Sequence, residues 1–443
     1  MKKELFATMV AMLFLASPTA AQVVEEEGEV EADIAGEEDG MGAGFEATAE
    51  ADLEPEPIVD ADPVAAEVEP ETETETEPIS VTPYGLIIFN AWYNTAPLSF
   101  SDIPVTALGG DGGSLGMTLR QSRFGLKVNA PPVASAMGAD EVSAVLELDF
   151  LGGNFANNNV TYTMSHPRMR LYFVKVKLGD VSLVVGQDWV IAAPLSPLSL
   201  SHMALPGFHA TGNLWARLPQ VRVDAGLGPL TVQAGVMAPV STDSTGAGFT
   251  VGRVASASER SKSPTLQARV AFSTDMGDEK LTIGASGHFG LEEVGTVMID
   301  PMTMMEVPTG NTETASSYAA VLDLTVPIAG LFTLQGEAFY GQNLDGLFSR
   351  ADVNRFDGEA IAAWGGWAQL LLNLDPLTFG VAAGIERFVE DPEARNLALY
   401  LAAIYTVAPG FKVGLQLDHI RTNAGMGDDL VGNQINASAH FGF

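Results

Sequence analysis

The feature that most constrains this chain is a series of about sixteen short segments, from Tyr84 to the end, in which apolar and polar residues alternate. Alternation with a period of two places apolar side chains on one face of a strand and polar side chains on the other. The mean length is close to the roughly ten residues that a tilted strand needs to cross a bilayer. The segments are 84–93, 116–128, 141–151, 166–177, 181–190, 214–224, 229–238, 264–273, 280–290, 315–326, 331–342, 359–374, 377–389, 395–407, 411–422 and 433–443.

The connections between these segments are sorted by length. Short turns follow several even-numbered segments, at 178–180, 226–228, 327–330, 375–376 and 408–410. Long links follow most odd-numbered segments, at 94–115, 152–165, 191–213, 239–262, 291–313 and 343–358. A transmembrane barrel has short periplasmic turns and longer extracellular loops, whereas a soluble sandwich has no reason for such sorting. The sequence therefore predicts an all-β transmembrane antiparallel barrel over 80–443, with sixteen strands favoured over fourteen or eighteen and both ends in the periplasm.

Two segments precede the predicted barrel. Residues 1–21 have a basic start, an apolar stretch and a small-residue cleavage site, the pattern of a secretory signal peptide. Residues 22–79 contain 22 acidic residues and no Lys or Arg, so this segment repels itself and buries little apolar surface. We expect a disordered acidic periplasmic extension, which supplies much of the net charge of −34 and is a poor partner for nucleic acid. A periplasmic tether, a spacer, a cation-attracting brush and an inert solvated tail remain alternative roles.

The rest of the composition agrees with an exported barrel. The chain has no cysteine, which excludes disulfide scaffolds, thiolate metal sites and cysteine nucleophiles. After the signal peptide no run of eighteen apolar residues occurs, so apolar residues are spread through short segments. The last strand ends with Phe441 and Phe443 on one face. This ending resembles the signal that delivers outer-membrane barrels to the barrel-assembly machinery, and it predicts that the last strand pairs with the first.

The strand phase predicts which charged side chains face the lumen. Where the flanking apolar residues face outer-membrane lipid, the polar residues between them must point inward. By this argument Tyr172 faces inward, and so does a set of basic residues: Arg123, Lys127, Arg168, Arg170, Arg222 and Arg269. Acidic residues at the inward phase are Glu147, Asp149, Asp323, Glu337, Glu386 and Asp418.

Two interpretations of these lumen charges are open. They could pair across strands and solvate a wide channel. Alternatively, the arginines of the first half exceed the acids beside them and leave uncompensated positive potential, which would concentrate anions in a narrow pore. The arrangement favours an outer-membrane porin for passive diffusion of small hydrophilic solutes, with opposing basic and acidic walls and a preference for anions. No cofactor is indicated.

The long link 191–213 is unusually apolar for an exposed loop. Its Ala, Leu, Pro and Phe residues would be poorly placed in water. We therefore predict that it folds into the lumen and narrows it.

Five motifs of the first half resemble those of the DcaP-like outer-membrane porins. They are Arg120-Gln-Ser-Arg-Phe-Gly125, Glu147-Leu-Asp-Phe150 before Gly152-Gly-Asn154, Arg168-Met-Arg170, Gly186-Gln-Asp-Trp189 and Arg217-Leu-Pro-Gln-Val-Arg222. Their order and spacing match over about 115–240. The resemblance implies a homotrimer of sixteen-stranded barrels that passes small, often anionic solutes such as dicarboxylates, with Arg123, Arg168, Arg170 and Arg222 lining the pore. The family often has a helical N-terminal extension with heptads, and 22–79 lacks them.

Two rival functions remain. A plugged barrel would have a structural or interaction role, and bilayer conductance would distinguish it from a porin. An outer-membrane esterase could use the Gly112-Gly-Ser-Leu-Gly116 pattern, but a Gly-rich loop does not provide the strained strand-to-helix turn that exposes such a serine. The six histidines show no close pair at metal-ligand spacing, so no metal site is predicted.

Overall fold

The computed structural model describes residues 79–131, 138–152, 166–241, 255–352, 356–425 and 427–443. The proposed signal peptide and acidic extension lie outside these residues, as do most of the link 152–165 and the middle of 239–262. Within the described residues, no helix is long and apolar enough to cross a membrane.

The described chain forms one antiparallel sheet of seventeen strands. They are β1 (Ser80–Asn94), β2 (Ser114–Thr118), β3 (Arg123–Ala130), β4 (Glu141–Gly152), β5 (His166–Leu178), β6 (Val181–Trp189), β7 (Arg217–Leu227), β8 (Leu230–Met237), β9 (Thr265–Met276), β10 (Glu279–Ile299), β11 (Glu306–Ile328), β12 (Phe332–Gln342), β13 (Ala362–Leu374), β14 (Leu377–Phe388), β15 (Arg395–Ala408), β16 (Phe411–Asn423) and β17 (Leu430–Gly442). A four-residue helix, α1 (Ala257–Arg260), precedes β9.

Two of the seventeen strands share one position in the described barrel. β2 pairs with the C-terminal part of β1, from Asn90 to Asn94, and β3 pairs with its N-terminal part, from Ser80 to Leu86. The chain between them leaves the ladder at 119–122, so the predicted single strand 116–128 is interrupted in the middle. The barrel consequently has sixteen positions, which confirms the predicted strand count.

The barrel closes between its first and last strands. β1 pairs with β17 from Leu86↔Gly442 to Asn94↔Gln434. Beyond this ladder, Gly85 N donates to Phe443 O at 3.0 Å and Phe443 N donates to Gly85 O at 3.2 Å. Closure leaves no unpaired strand edge, which the hydrocarbon interior of a bilayer would penalise. The predicted pairing of the terminal strand with the first is confirmed.

The outer surface is apolar, as a membrane-spanning barrel requires. Phe124 and Leu126 on β3 are 39% and 41% exposed, and Leu399 and Leu401 on β15 are 44% and 54% exposed. Residues at the alternate positions of the strands point inward and include buried polar groups such as Gln416 on β16 and Asn396 on β15, both 0% exposed. Apolar residues outside and polar residues inside make this the fold of a transmembrane barrel.

One predicted side-chain orientation is wrong because of a β-bulge. On β5, Arg170 and Leu171 together oppose Glu147, so the alternation shifts by one residue from there on. Tyr172 consequently lies opposite the outward-facing Leu146 and does not face the lumen. The same shift turns Lys175 inward, opposite the fully buried Val184. The run Val174-Lys175-Val176-Lys177 has the shifted phase, but the apolar run 171–174 before it hides the residue at which the phase changes.

Candidate functional site

The loop that joins β6 to β7 enters the barrel. We call residues 190–216 the lumen loop. Most of its apolar side chains are buried, with Phe208 at 0%, Leu200 and Leu214 at 1% and Trp215 at 3% exposed. These side chains belong to clusters that contain both loop residues and inward-facing wall residues. The predicted insertion of 191–213 into the lumen is confirmed.

Wall side chains hold the first half of the lumen loop through its backbone. Gln267 Oε1 on β9 accepts from Ile191 N at 2.8 Å and from Ala192 N at 2.9 Å. Gln369 on β13 bonds Leu198 twice, accepting from its N–H at 2.8 Å and donating to its carbonyl at 2.7 Å. Because a loop in this position has no strand to pair with, amide side chains of the wall replace the missing ladder.

The same arrangement continues around the barrel. Gln416 Oε1 on β16 accepts from Leu200 N at 2.6 Å. Gln121, in the gap between β2 and β3, accepts from Met203 N at 2.8 Å and from Ala204 N at 3.1 Å. The attachment points therefore proceed along the chain from β9 to β13, β16 and the β2–β3 gap, so that residues 191–204 follow the inner wall past most of the barrel.

The second half of the lumen loop returns over β15 to β13. The Phe208 ring stacks on Tyr400 with centroids 4.2 Å apart and an angle of 6° between planes. Asn396 Nδ2 donates to Ala210 O at 3.0 Å. Gly384 permits this approach, since a Cβ there would lie 2.5 Å from both the Phe208 ring and the Thr211 carbonyl oxygen. Both halves of the loop thus narrow the lumen.

Two of the predicted acidic lumen residues anchor this loop. Glu337 on β12 accepts from Leu195 N at 2.7 Å and from the Trp367 indole N–H at 3.1 Å. Asp418 on β16 accepts from the Ser201 hydroxyl at 2.8 Å. Both carboxyl groups point inward as predicted, but they bind the loop and do not form an open acidic wall facing the arginines. Sequence phase gives the direction of a side chain and says nothing about which segment meets it.

The predicted basic residues on β5 lie together with the acids of β4. Arg168 forms a two-pronged pair with Asp149, through Nε at 3.0 Å and Nη2 at 2.7 Å. Arg170 bridges Glu147 at 2.6 Å and Asp149 at 2.9 Å, with only 2% of its side chain exposed. Glu147 and Asp149 therefore belong to the basic wall itself, although the sequence placed them on an opposing one.

The other predicted pore arginines are paired as well. Arg222 on β7 lies between Asp188, at 3.0 Å, and Asp224, at 2.9 Å. Arg269 on β9 forms a two-pronged pair with Asp323, at 3.0 and 2.7 Å. Register explains both cases, because these carboxylates occupy inward positions on the same or nearby strands.

Two of the predicted basic residues have no carboxylate partner within the described chain. Arg123 makes no ion pair there, although its register partner is Asp149, which Arg168 and Arg170 occupy. Lys127 lies over the Tyr84 ring, 5.1 Å from its centroid, and Tyr84 in turn donates to Glu147 at 3.1 Å. Uncompensated positive charge on this wall is therefore carried by Arg123 and Lys127 more than by Arg168, Arg170 or Arg222.

A further arginine was missed as a site residue. Arg217, the first residue of β7, lies 4.8 Å from the Trp189 ring and 5.3 Å from the Trp215 ring. Its Nη2 donates to Ala204 O at 3.1 Å, an acceptor shared with Arg168 and Arg170, and its buried Nη1 has no partner within the described residues. The sequence signal was the spacing of two tryptophans around an arginine, but the Trp215 contact depends on the lumen loop.

A cavity of about 340 Å³ lies between the start of the lumen loop and the wall at β6 to β8. The guanidinium of Arg222, the carboxylate of Asp188 and the amide of Gln233 line it together with the indole of Trp189. Its lining residues are Asp188, Trp189, Val190, Ile191, Pro194, Ser196, Arg222 and Gln233.

The residues of the enzyme hypothesis occupy structural positions. Ser114 begins strand β2, where its hydroxyl accepts from Asn94 Nδ2 at 3.1 Å. Ser201 and His202 come together in the lumen loop, with Ser201 Oγ 3.0 Å from His202 Nδ1. However, Asp418 bonds the serine and the other histidine nitrogen lies 2.9 Å from Pro104 O, so the carboxylate does not orient the imidazole. Burial lowers the pKa of His202 to about 4, which keeps this ring neutral.

Comparison with known proteins extends this description. No protein-family model matches the chain, and no curated protein matches it. Solved structures do match. The outer membrane channel DcaP of Acinetobacter baumannii aligns with a TM-score of 0.63 at 16% identity, over 82% of this chain and 97% of that one.

Two further solved structures have the same architecture. OprB of Pseudomonas putida aligns with a TM-score of 0.53 at 11% identity, over 81% of this chain and 94% of that one. An anion-selective porin from Comamonas acidovorans aligns with a TM-score of 0.51 at 14% identity, over 83% of this chain and 100% of that one. The resemblance to DcaP-like porins that the motifs suggested is therefore confirmed for the fold, and the chain has the barrel fold of these outer-membrane channels.

Proposed function

We propose that this protein is an outer-membrane porin through which small hydrophilic solutes diffuse passively. The observation that carries the proposal is the lumen loop, which narrows a polar, charged lumen while being fastened to the wall by amide and carboxylate side chains. A fixed constriction of this kind sets the size and charge of what passes. The fold shared with outer-membrane channels supports this proposal, as does the outer-membrane location that an apolar barrel exterior implies.

Single-channel recording in a planar bilayer tests the proposal directly. An open porin gives large, stable conductance steps after insertion of the purified barrel. A barrel plugged by its loops gives almost none, and that result would move the function to an interaction role. Liposome swelling with uncharged solutes of increasing size then measures the width of the constriction.

We further propose that the pore prefers anions, dicarboxylates among them, and that Arg123, Lys127 and Arg217 set this preference. These three side chains carry positive charge without a carboxylate partner in the described chain, so their field acts on a passing solute. The paired Arg168, Arg170, Arg222 and Arg269 contribute shape and hydrogen-bond donors more than net charge.

Reversal potentials in a salt gradient test this assignment. Arg123→Glu combined with Lys127→Glu should shift the reversal potential toward cation selectivity, because lumen substitutions tune selectivity. Arg421→Gln is the control, since Arg421 is 48% exposed at the extracellular end of β16 and pairs with Asp429 away from the lumen. Unchanged selectivity in the double variant would rule out Arg123 and Lys127 as the residues that set the preference, while leaving the porin proposal intact.

A homotrimer in the outer membrane, assembled by the barrel-assembly machinery, is the remaining part of the proposal. The terminal strand with Phe441 and Phe443 on its outer face supports recognition by that machinery. Analytical ultracentrifugation of the detergent-solubilised protein would measure the oligomeric state.

A further inference from the structure

The hairpin formed by β10 and β11 extends well beyond the barrel. β10 has 21 residues and β11 has 23, whereas the other strands of the described barrel have at most 15. β9 stops pairing with β10 at Phe289, and β12 pairs with β11 only from Tyr318 onward. Between Phe289 and Tyr318 the two strands pair only with each other. At about 3.3 Å per residue, the turn of the hairpin can lie roughly 30 Å beyond the point where the neighbouring strands end. The predicted open link 291–313 is therefore mostly a two-stranded ribbon.

The lower part of this hairpin packs against helix α1. Val294 and Ala315 pack with Ala257 of helix α1. Arg260 of the same helix donates to Glu293 O at 3.0 and 2.7 Å. Beyond this contact the ribbon has a register irregularity between Gly295 and Val297 and then continues to the turn.

The exposed tip is rich in methionine. Within eight residues the chain reads Met298-Ile-Asp-Pro-Met302-Thr-Met304-Met305. The four methionines are 52%, 94%, 75% and 66% exposed, in that order. Apolar side chains exposed to water at the end of a ribbon that no other strand accompanies are unfavourable unless they bind something. Their position points to a ligand.

The turn that holds them has a defined backbone. Asp300 N donates to Met305 O at 2.9 Å, and Met304 N donates to Asp300 O at 2.8 Å. Met304 adopts a left-handed conformation with φ of 54°, which costs energy for a residue other than glycine. Three thioethers are thereby gathered within four residues of one closed turn. Each side chain is unbranched and flexible, so the sulfur atoms can adjust to a common centre.

The charge around the tip favours a cation. From residue 281 to residue 349 the chain contains no Lys or Arg, while residues 290–313 contain five acids: Glu292, Glu293, Asp300, Glu306 and Glu313. The backbone N–H of Met302 donates to Asp300 Oδ1 at 2.8 Å, so this carboxyl group lies within the turn.

We propose that the thioether sulfurs of Met302, Met304 and Met305, together with that of Met298, form a binding site for a soft monovalent metal ion, Cu(I) or Ag(I). Thioethers are soft, neutral ligands that select Cu(I) over divalent ions, which prefer imidazole or oxygen ligands. The chain has no cysteine that could compete for the ion. This site does not depend on the proposed pore function.

Silver(I) is the probe, because it does not change oxidation state in air. The full-length protein in detergent is titrated with silver nitrate in chloride-free buffer, and bound metal is measured after gel filtration. Wild type should retain about one Ag(I) per chain, and Met302→Leu/Met304→Leu/Met305→Leu should bind at least about tenfold more weakly. Met298→Leu alone tests the fourth ligand and should weaken binding less.

The control is Met117→Leu/Met169→Leu/Met276→Leu, which removes three methionines that are 58%, 59% and 48% exposed elsewhere on the barrel. This variant should bind Ag(I) like wild type. Leucine keeps the tip apolar. If the tip were an apolar docking site for another protein, that binding would therefore persist in the tip variant. In protein labelled with ¹³C at the methionine methyl groups, Ag(I) should shift the tip resonances selectively. Wild type that retains no Ag(I), or a tip variant that binds as well as wild type, would overturn the proposal.

Discussion

Gln267 Oε1 lies 2.8 Å from the backbone nitrogen of Ile191 and accepts its hydrogen bond where the lumen loop leaves the wall. The same oxygen accepts from Ala192 N, so one wall amide satisfies two consecutive buried N–H groups. Four further wall side chains also accept hydrogen bonds from backbone N–H groups of the loop: Glu337, Gln369, Gln416 and Gln121. Hydrogen bonds therefore hold the constriction to the barrel wall, although the residues that form it belong to a loop.

Replacing Gln267 with leucine should loosen the constriction. Each N–H left unsatisfied in a buried position costs about 1–3 kcal/mol, and the loop can regain these bonds only by moving toward water. We expect larger or noisier single-channel conductance and a lower unfolding midpoint. Gln233→Leu is the matched control, because Gln233 faces the same lumen and bonds Asp224 at 2.9 Å but no loop backbone. Equal behaviour of the two variants would contradict an anchoring role for Gln267.

Replacing Arg170 with leucine should destabilise the barrel strongly. Glu147 is 6% and Asp149 is 0% exposed, so removal of their partner leaves buried carboxylates with less compensation. A broken buried pair costs about 3–5 kcal/mol. Urea unfolding in lipid vesicles measures the loss, and Arg421→Leu, which breaks an exposed pair, should cost about 1 kcal/mol or less. A loss at Arg170 no larger than at Arg421 would show that Arg168 alone compensates both acids.

Phe443 should matter for assembly and not for conduction. Its side chain is 54% exposed on the same outer face as Phe441 and Ile435, and its ring centroid lies 6.0 Å from that of Phe124. Deleting Phe443 removes this outward aromatic group and two closing hydrogen bonds to Gly85. We expect a low membrane yield, with normal conductance in the molecules that fold. Normal yield with altered ion selectivity would assign the last strand to the pore lining.

Gly85 offers a second test of the same closure. A Cβ at this position would lie 2.6 Å from the Phe443 ring and 2.9 Å from the Arg123 carbonyl oxygen, so Gly85→Val should displace the ring and disturb the β1–β3 pairing without changing the charge of the chain. We expect slower assembly, which is measured by how quickly the heat-modifiable band appears on gels. Gly287→Val is the control, since a Cβ there would meet its nearest atom at 3.7 Å.

Deleting 22–79 should leave a folded barrel. The ladder that closes the described barrel between β1 and β17 involves Leu86 to Asn94, all after the deleted segment. Anion preference should be unchanged at about 1 M salt, where the Debye length is near 3 Å and distant acidic charge is screened. Heat-modifiability on gels checks folding, and the reversal potential checks the anion preference. A truncated protein that fails to assemble would show that the extension is structural.

The sequence by itself determined the barrel. Alternation with period two specifies which face of each strand meets lipid, and glycine-containing turns such as Gly179 and Gly228, both at positive φ, specify where strands reverse. These signals are local, so sixteen strands, their order and the inward direction of Arg123, Arg168 and Arg222 could be predicted from short segments. The apolar character of 191–213 likewise predicted its burial, because exposed apolar loops are unfavourable.

Only the tertiary structure decided what the inward side chains meet. Glu337 and Asp418 have the phase of an acidic wall, yet they hold the lumen loop, because the path of a long loop depends on contacts more than a hundred residues away. The bulge at Arg170 and Leu171 reversed the orientation of Tyr172, and the apolar run 171–174 hides its position in the sequence. Pairing of Arg222 with Asp188 and Asp224 depends on strand register. Local chemistry fixes the direction of a side chain, and the assembled fold fixes its partner, which decides whether its charge reaches the pore.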